Sequence, residues 1–217
     1  VSSLSGDNTV VGTADAGRTV TIKSGSTTLG TTTADGSGNF TYTLTSSNLT
    51  TVGQGSDSIT ASQTDVAGNT ATSNSFSYTV DTVAPTKTIS GLALSADTGS
   101  SGSDFITNTA AQTITATLSG SLATGEKLYG SLDNGASWSD ISSKVSGTAV
   151  SWNGVTLSGS STILMEVRDA AGNAGTAKSQ AYVLDTTAPT KPTITSVGGS
   201  DNIVSSQSGD NDVVGTA

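Results

Sequence analysis

Residues 12–44 read GTADAGRTVTIKSGSTTLGTTTADGSGNFTYTL. Within this stretch Thr19-Val20-Thr21-Ile22-Lys23 alternates with a period of two, which puts Val20 and Ile22 on one face of an extended strand. Turn formers flank it: ADAG at 14–17, KSGS at 23–26 and ADGSGN at 34–39 each carry Gly, Asp or Asn, which suit a reversal or a positive φ. Short β-branched runs cut by such turns predict antiparallel strands, and no stretch of the chain carries a sustained helical period.

The same grammar extends outward. Strands are expected at Thr9–Gly12, Thr19–Lys23, Thr28–Thr32, Asn39–Thr45, Asp57–Thr64 and Phe76–Val80. They resume at Thr88–Leu94, Gln112–Leu118, Lys127–Ser131, Ala149–Trp152, Ile163–Asp169 and Ala181–Leu184. The fold class is therefore all-β, as two antiparallel β-sandwiches of about 100 residues each. Alternation selects Val20, Ile22, Phe40, Tyr42, Phe76 and Tyr78 for the first core. For the second it selects Ile114, Leu118, Leu128, Leu132 and Trp138, with Trp152, Leu164, Val167 and Tyr182.

Repeats set the boundaries. DVAGNTATS at 65–73 returns as DAAGNAGTA at 169–177, and DTVAPT at 81–86 returns as DTTAPT at 185–190, both 104 residues later. A longer echo takes SGDNTVVGTA at 5–14 to SGDNDVVGTA at 208–217, 203 residues on, so two module types alternate. The expected units are residues 1–82, residues 83–186 and a stub at 187–217 that begins a third module of the first type. Tandem arrays of such modules reach, hold or display. By the longer period, Lys191–Ile203 corresponds to positions ahead of Val1. A neighbouring molecule could lend that strand to the first module, giving head-to-tail self-association through 191–217, whereas the plainer alternative is a frayed tail.

Composition narrows the function. Hydrophobic residues make up 33% of the chain and aromatics 4%, so the cores must be thin. That poverty also fits disorder, but the regular alternation argues against it. The net charge is −9 with no histidine and no basic run, which disfavours nucleic acid and anionic membrane surfaces and favours divalent cations. The absence of cysteine removes disulfides, zinc-thiolate sites and thiol catalysis together, and with no histidine it excludes the usual nucleophilic triads within these residues.

Carboxylates gather near the expected module ends. Asp65 with Asn69, and Asp81, are expected near one pole of the first module, with Asp97 and Asp104 approaching from the second. Asp169, Asn173 and Asp185 would serve the next junction, with Asp201 or Asp210 from the stub. Such a set repels itself unless a cation intervenes, and Ca²⁺ takes six to eight oxygens at about 2.3–2.6 Å. The alternative is that DxAGN is a β-turn in which Asp caps backbone N–H groups. A site with a dissociation constant of about 0.1 mM would add roughly 2.7 kcal/mol at about 10 mM Ca²⁺. Pro85 and Pro189 restrict the linkers further.

The run at 12–44, with DVAGNTA at 65–71 and DTVAPT at 81–86, resembles the bacterial Ig-like repeats of giant type I-secreted RTX and biofilm-associated surface adhesins. SADTGSSGSDFITN (95–108), YGSLDNGASWSDI (129–141), VRDAAGNAG (167–175) and DTTAPT (185–190) look like a second repeat class from such proteins. The resemblance implies tandem Ig-like sandwiches outside the cell, stiffened by Ca²⁺ and holding a distal ligand-binding region away from the bacterial surface. A rival reading makes the chain itself a glycan- or protein-binding module. SLDNGASW at 131–138 fits the Asp-box pattern, a hairpin in which Asp133, Gly135 and Trp138 are structural. Glu126 and Glu166 are the only glutamates and neither sits in a motif, so no catalytic residue is assigned and an enzyme is not expected.

Overall fold

Strands form where β-branched and aromatic residues alternate with Ser, Thr and Gly, and they end at the Gly- and Asp-containing turns. The protein is described from a computed structural model covering residues 8–197 and 213–216. The first part contains β1 (Thr9–Thr13), β2 (Thr19–Ser24), β3 (Thr27–Thr33), β4 (Asn39–Thr43), α1 (Ser46–Val52), β5 (Gly55–Thr64), β6 (Thr70–Thr72) and β7 (Phe76–Val80). β1 and β4 pair as a two-stranded antiparallel sheet. It faces the sheet β3-β2-β5-β6, in which β7 also pairs with β5. Val20, Ile22, Leu29, Phe40, Leu44 and Ile59 are buried between the two.

The second part contains β8 (Ile89–Leu94), β9 (Ile106–Thr107), β10 (Ala111–Leu118), β11 (Lys127–Ser131), β12 (Ser139–Asp140), β13 (Val145–Ser146), β14 (Ala149–Thr156), β15 (Ser161–Arg168) and β16 (Lys178–Leu184). Its sheets run β13-β14-β10-β8 and β12-β11-β15-β16-β9. All pairings are antiparallel except β9 with β16. Ile114, Leu118, Leu128, Ile163, Met165 and Val167 fill the space between the sheets. Each such side chain contributes about 1.5–3 kcal/mol on burial. The Trp152 ring spans the layers to the β11 backbone, and a Cβ at Gly130 would lie 2.6 Å from a ring carbon, so only glycine admits the indole. The last pair is β17 (Thr193–Val197) with β18 (Val213–Thr216). The chain is thus all-β, built of Ig-like antiparallel sandwiches.

Several expectations change. Residues 46–52 form a helix, started by a capping box in which the Thr45 hydroxyl accepts from the Asn48 N–H while the Asn48 side chain accepts from the Thr45 N–H. Two turns of SSNLTTV are too short to carry an apolar period. Leu132, Trp138 and Leu164 are only half-buried, with Ile163, Met165 and Val167 taking the inner face of β15. Phe76 is 72% exposed although Val80, on the same face of β7, is 4% exposed. The short strands β6, β9, β12 and β13 join the expected set.

Candidate functional site

The segment between the sandwiches, DTVAPTKT at 81–88, forms no strand and is held by side chains from both sides. From the first sandwich, Gln54 Oε1 accepts from the Thr82 N–H at 2.9 Å, and its amide also bonds the Thr82 hydroxyl. From the second, Asn173 Nδ2 donates to the Asp81 carbonyl at 3.0 Å. A Cβ on Gly175 would lie 2.7 Å from the Pro85 carbonyl oxygen, so glycine lets β15's following loop press against the linker. Lys87 Nζ pairs with Glu126 Oε2 at 2.5 Å, and both side chains are largely covered. That lysine, with the Ala123 N–H, holds the Glu126 carboxyl below the usual range. The Thr88 N–H donates to Ser119 Oγ at 3.0 Å, and the Thr88 carbonyl accepts from the Ser119 N–H at 2.9 Å.

The DxAGN turns are rigid by their own bonding. Asp65 Oδ1 accepts from Ala67 N–H at 2.9 Å and Asn69 N–H at 2.8 Å, and Oδ2 accepts from Asn69 Nδ2 at 2.8 Å. The Asn69 side chain, then its N–H, keeps the Asp65 carboxyl below its usual range. Asp169 repeats the scheme, taking Asn173 N–H and Nδ2 at 2.9 Å each. The asparagine is thus a donor to its own aspartate in both turns.

Sheet register corrects the expected grouping of the carboxylates. Val80 lies opposite Gly55 at the start of β5, whereas Asp65 follows Thr64 at its end. A ten-residue strand therefore separates Asp65 from Asp81, roughly 30 Å at the rise of a β-strand. The turn that meets Asp81 is that of Asp169 and Asn173, which the sequence reading assigned to the next junction. Asp97 and Asp104 also change ends. β8 carries the chain away from the linker, and the loop after it returns as β9 alongside the end of β16, where the Phe105 carbonyl accepts from Val183 N–H at 2.9 Å and the Thr107 carbonyl from Asp185 N–H at 3.0 Å. They therefore share an end with Asp185. The physical reason is that successive antiparallel strands deliver a turn and the chain exit to opposite poles.

Among the described residues no group of three or more Asp, Glu, His or Cys is close enough to hold a metal ion. Asp81, Asp104 and Asp185 each accept one N–H two residues on, from Val83 at 3.1 Å, Ile106 at 3.0 Å and Thr187 at 2.9 Å. Asp97 Oδ2 accepts from Phe105 N–H at 3.0 Å. Its other oxygen, Oδ1, is the one buried side-chain polar atom without a partner among the described residues. Asp201 and Asp210 lie outside the described residues. Among the described residues the expected ligands therefore do not come together as one set.

The Asp-box stretch is a closed hairpin. Ser131 Oγ donates to Asp133 Oδ1 at 2.7 Å, Ser137 N–H donates to the same oxygen at 2.9 Å, and Ser137 Oγ donates to Oδ2 at 2.5 Å. The Ser137 hydroxyl and N–H, followed by Ser131, pull the Asp133 carboxyl down to about 2. Trp138 is half-buried, with the Arg168 guanidinium 5.0 Å from its ring centre and 4.5 Å from that of Tyr129. Arg168 also donates to Glu166 Oε1 at 2.7 Å.

The linker clamps Gln54, Lys87, Glu126 and Gly175 were not singled out from sequence. Lys87 does recur as Lys191 at the 104-residue offset, and Gly175 stands where the first module has Ala71.

No curated protein matches the chain. Among solved structures it is similar to the fibronectin(III)-like modules of CbhA from Clostridium thermocellum, with 14% identity and a TM-score of 0.40 over 82% of this chain and 85% of that one. It is also similar to a tetra-tandem repeat from the extending region of a large adhesion protein, with 21% identity and a TM-score of 0.30 over 86% of this chain. The chain spans 46% of that repeat structure. Residues 7–82 match the family model of the bacterial Ig-like domain.

Proposed function

We propose that this chain is an extender segment of a bacterial cell-surface adhesin, a non-catalytic series of Ig-like modules that sets distance and stiffness in adhesion or biofilm contact. The observation that carries the reading is the linker at 81–88, gripped by Gln54 from one sandwich and by Asn173, Gly175 and Glu126 from the other. A binding module needs no such grip, whereas a stalk loses reach if its joints bend. The nested repeat and the bacterial Ig-like match at 7–82 support the same reading, which places the protein outside the cell.

Stiffness then arises from protein groups. Two backbone carbonyls of the linker, at Asp81 and Pro85, are contacted by the turn and loop after β15, and Lys87 is tied to Glu126. Small-angle scattering of the intact chain tests this: a single fixed angle between sandwiches must fit the curve, and a requirement for a broad ensemble of angles would sink the stalk. A reproducible glycan-array signal, lost on Trp138→Ala with the fold retained, would transfer the function to ligand binding.

A calcium-stiffened junction is the second reading, now confined to the loop of Asp97. The unpartnered Oδ1 of Asp97 favours it, since a buried carboxylate oxygen without a donor is costly. Thermal unfolding of the second sandwich in excess EGTA and then in ~10 mM Ca²⁺ decides it. A rise that disappears in Asp97→Asn supports a bound cation there, and equal melting temperatures refute it.

A further inference from the structure

Asparagine precedes glycine twice in the chain, at Asn134-Gly135 and at Asn153-Gly154, and the fold treats the two pairs differently. Such a pair is prone to react with its own backbone, because glycine puts no side chain in the way of its nitrogen and lets the peptide turn freely. The first pair is locked. Asn134 is a left-handed residue of the Asp-box hairpin, with φ of 58°, and its N–H donates to the Thr162 carbonyl at 3.1 Å. The Gly135 nitrogen, which would have to attack, is engaged as a donor to Ser131 Oγ at 2.8 Å. Moving it would disturb the same hydroxyl that donates to Asp133.

The second pair sits in a bulge. Along β14 the register with β10 passes from Trp152, opposite Ile114, to Val155, opposite Gln112, and skips Asn153 and Gly154. On the other edge of β14, β13 reaches only Ala149 and Val150. Trp152 and Val155 are buried and fix the flanks, whereas Asn153 and Gly154 are exposed. Gly154 has φ of 73°, and a Cβ there would meet nothing within 4 Å. The peptide between the two residues can therefore crank, ψ of Asn153 against φ of Gly154, while both flanks stay in the ladder. The Asn153 side chain meets a cation: Lys144 Nζ, from the 3₁₀ turn Ser142–Lys144, donates to its Oδ1 at 2.6 Å.

We propose that Asn153 is a site of spontaneous deamidation in the folded protein, promoted by Lys144. The Gly154 nitrogen gives up its proton and bonds to Asn153 Cγ. The carbonyl electron pair moves onto Oδ1, where the Lys144 ammonium meets the developing charge. The Cγ–Nδ2 bond then breaks and ammonia leaves with a proton, so a five-membered succinimide closes. Water opens that ring at one of its two carbonyls, giving aspartate in the original backbone or isoaspartate, which lengthens the main chain by one carbon. The bulge has no strand partner at these residues to lose, so it accommodates either product. The aspartate product keeps its carboxylate beside Lys144, which replaces a neutral acceptor by an ion pair, and the chain gains one negative charge beyond −9.

The intact chain, held in warm, mildly alkaline buffer and sampled over time, should gain one mass unit and an acidic band on isoelectric focusing. Trypsin cuts after Lys127, Lys144 and Arg168, which separates the two asparagines. The gain should appear in residues 145–168, whose only amide side chain is Asn153, and not in 128–144, whose only one is Asn134. The chain unfolded in guanidinium should deamidate at Asn134 as well, because the hairpin that spares it is gone. Lys144→Met should slow the folded-state reaction at Asn153 by about three- to ten-fold, the worth of one hydrogen bond to a barrier. Lys144→Arg should restore the rate, and circular dichroism should be the same in all three. No gain at Asn153 in the folded chain, equal rates at Asn134 and Asn153, or Lys144→Met reacting as fast as wild type overturns the proposal.

Discussion

Asn173 Nδ2 donates both to Asp169 Oδ2, within its own turn, and to the main-chain carbonyl of Asp81, 92 residues earlier in the chain. One amide group therefore fixes a turn of the second sandwich and the start of the linker together. Asn69, its counterpart in the first module, donates to Asp65.

Asn173→Ala should free the Asp81 carbonyl and leave Asp169 Oδ2 without its donor. The expected loss is about 1 kcal/mol in the second sandwich, the usual net value of a hydrogen bond partly screened by solvent. The more telling effect is on the joint: backbone ¹⁵N relaxation at Thr82–Thr88 should show faster internal motion, and scattering should require a spread of inter-module angles. Relaxation identical to wild type would mean that the Asn173 contact does not restrain the linker.

Gly175→Ala tests the same joint from the steric side. Its added methyl would meet the Pro85 carbonyl oxygen at 2.7 Å and the Val167 carbonyl oxygen at 3.3 Å, both of them backbone atoms rather than the ends of flexible side chains. Either the linker lifts away, seen as a changed scattering curve, or the sandwich absorbs the strain and loses about 1–3 kcal/mol in calorimetry. A variant that matches wild type in both would show the approach to be slack.

Much of this was legible from residues. The alternation at Val20 and Ile22 located a core strand because polar threonines mark the outer face. On β15 the run Ile163-Leu164-Met165 has no polar residue to set its parity, so Leu164 was taken for core when its neighbours are. Phe76 was assigned to the correct face of β7, but its exposure depends on what lies opposite it, and no local pattern encodes that. The DxAGN and DTxAPT motifs were visible, yet the junction each serves depends on strand direction. Reading them as neighbours overlooked that the strand between them carries the chain to the opposite pole. The helix at Ser46–Val52 left only its cap, Thr45 with Asn48, as a sign.

Asp133 makes the second sandwich acid-sensitive. Its folded carboxyl titrates at about 2 against an ordinary 3.8, so the hairpin favours the charged form. Stability from this group is fully present above the ordinary value and is lost as pH falls through 3.8 toward 2. Asp133→Asn should lower the melting temperature at neutral pH and flatten the acid limb of the second transition. Parallel acid limbs in wild type and variant would show that other carboxylates govern the loss.

The two cores share no residue: one is built from positions 10–78 and the other from 89–184. Trp152→Ala probes whether they unfold separately. Trp152 is 9% exposed, and its ring fills the space that Gly130 leaves open, so truncation should leave a cavity that neither sheet can close. The expected cost is about 3–5 kcal/mol, a large share of a single sandwich's stability. If the linker transmits geometry without folding cooperativity, calorimetry should resolve two transitions, with the variant lowering only the one assigned to the second sandwich. Phe40→Ala should lower only the other. A single transition that both variants shift equally would mean that the clamp at Gln54, Asn173 and Lys87 couples the sandwiches into one folding unit, and the stalk would then unfold by groups of modules rather than one at a time.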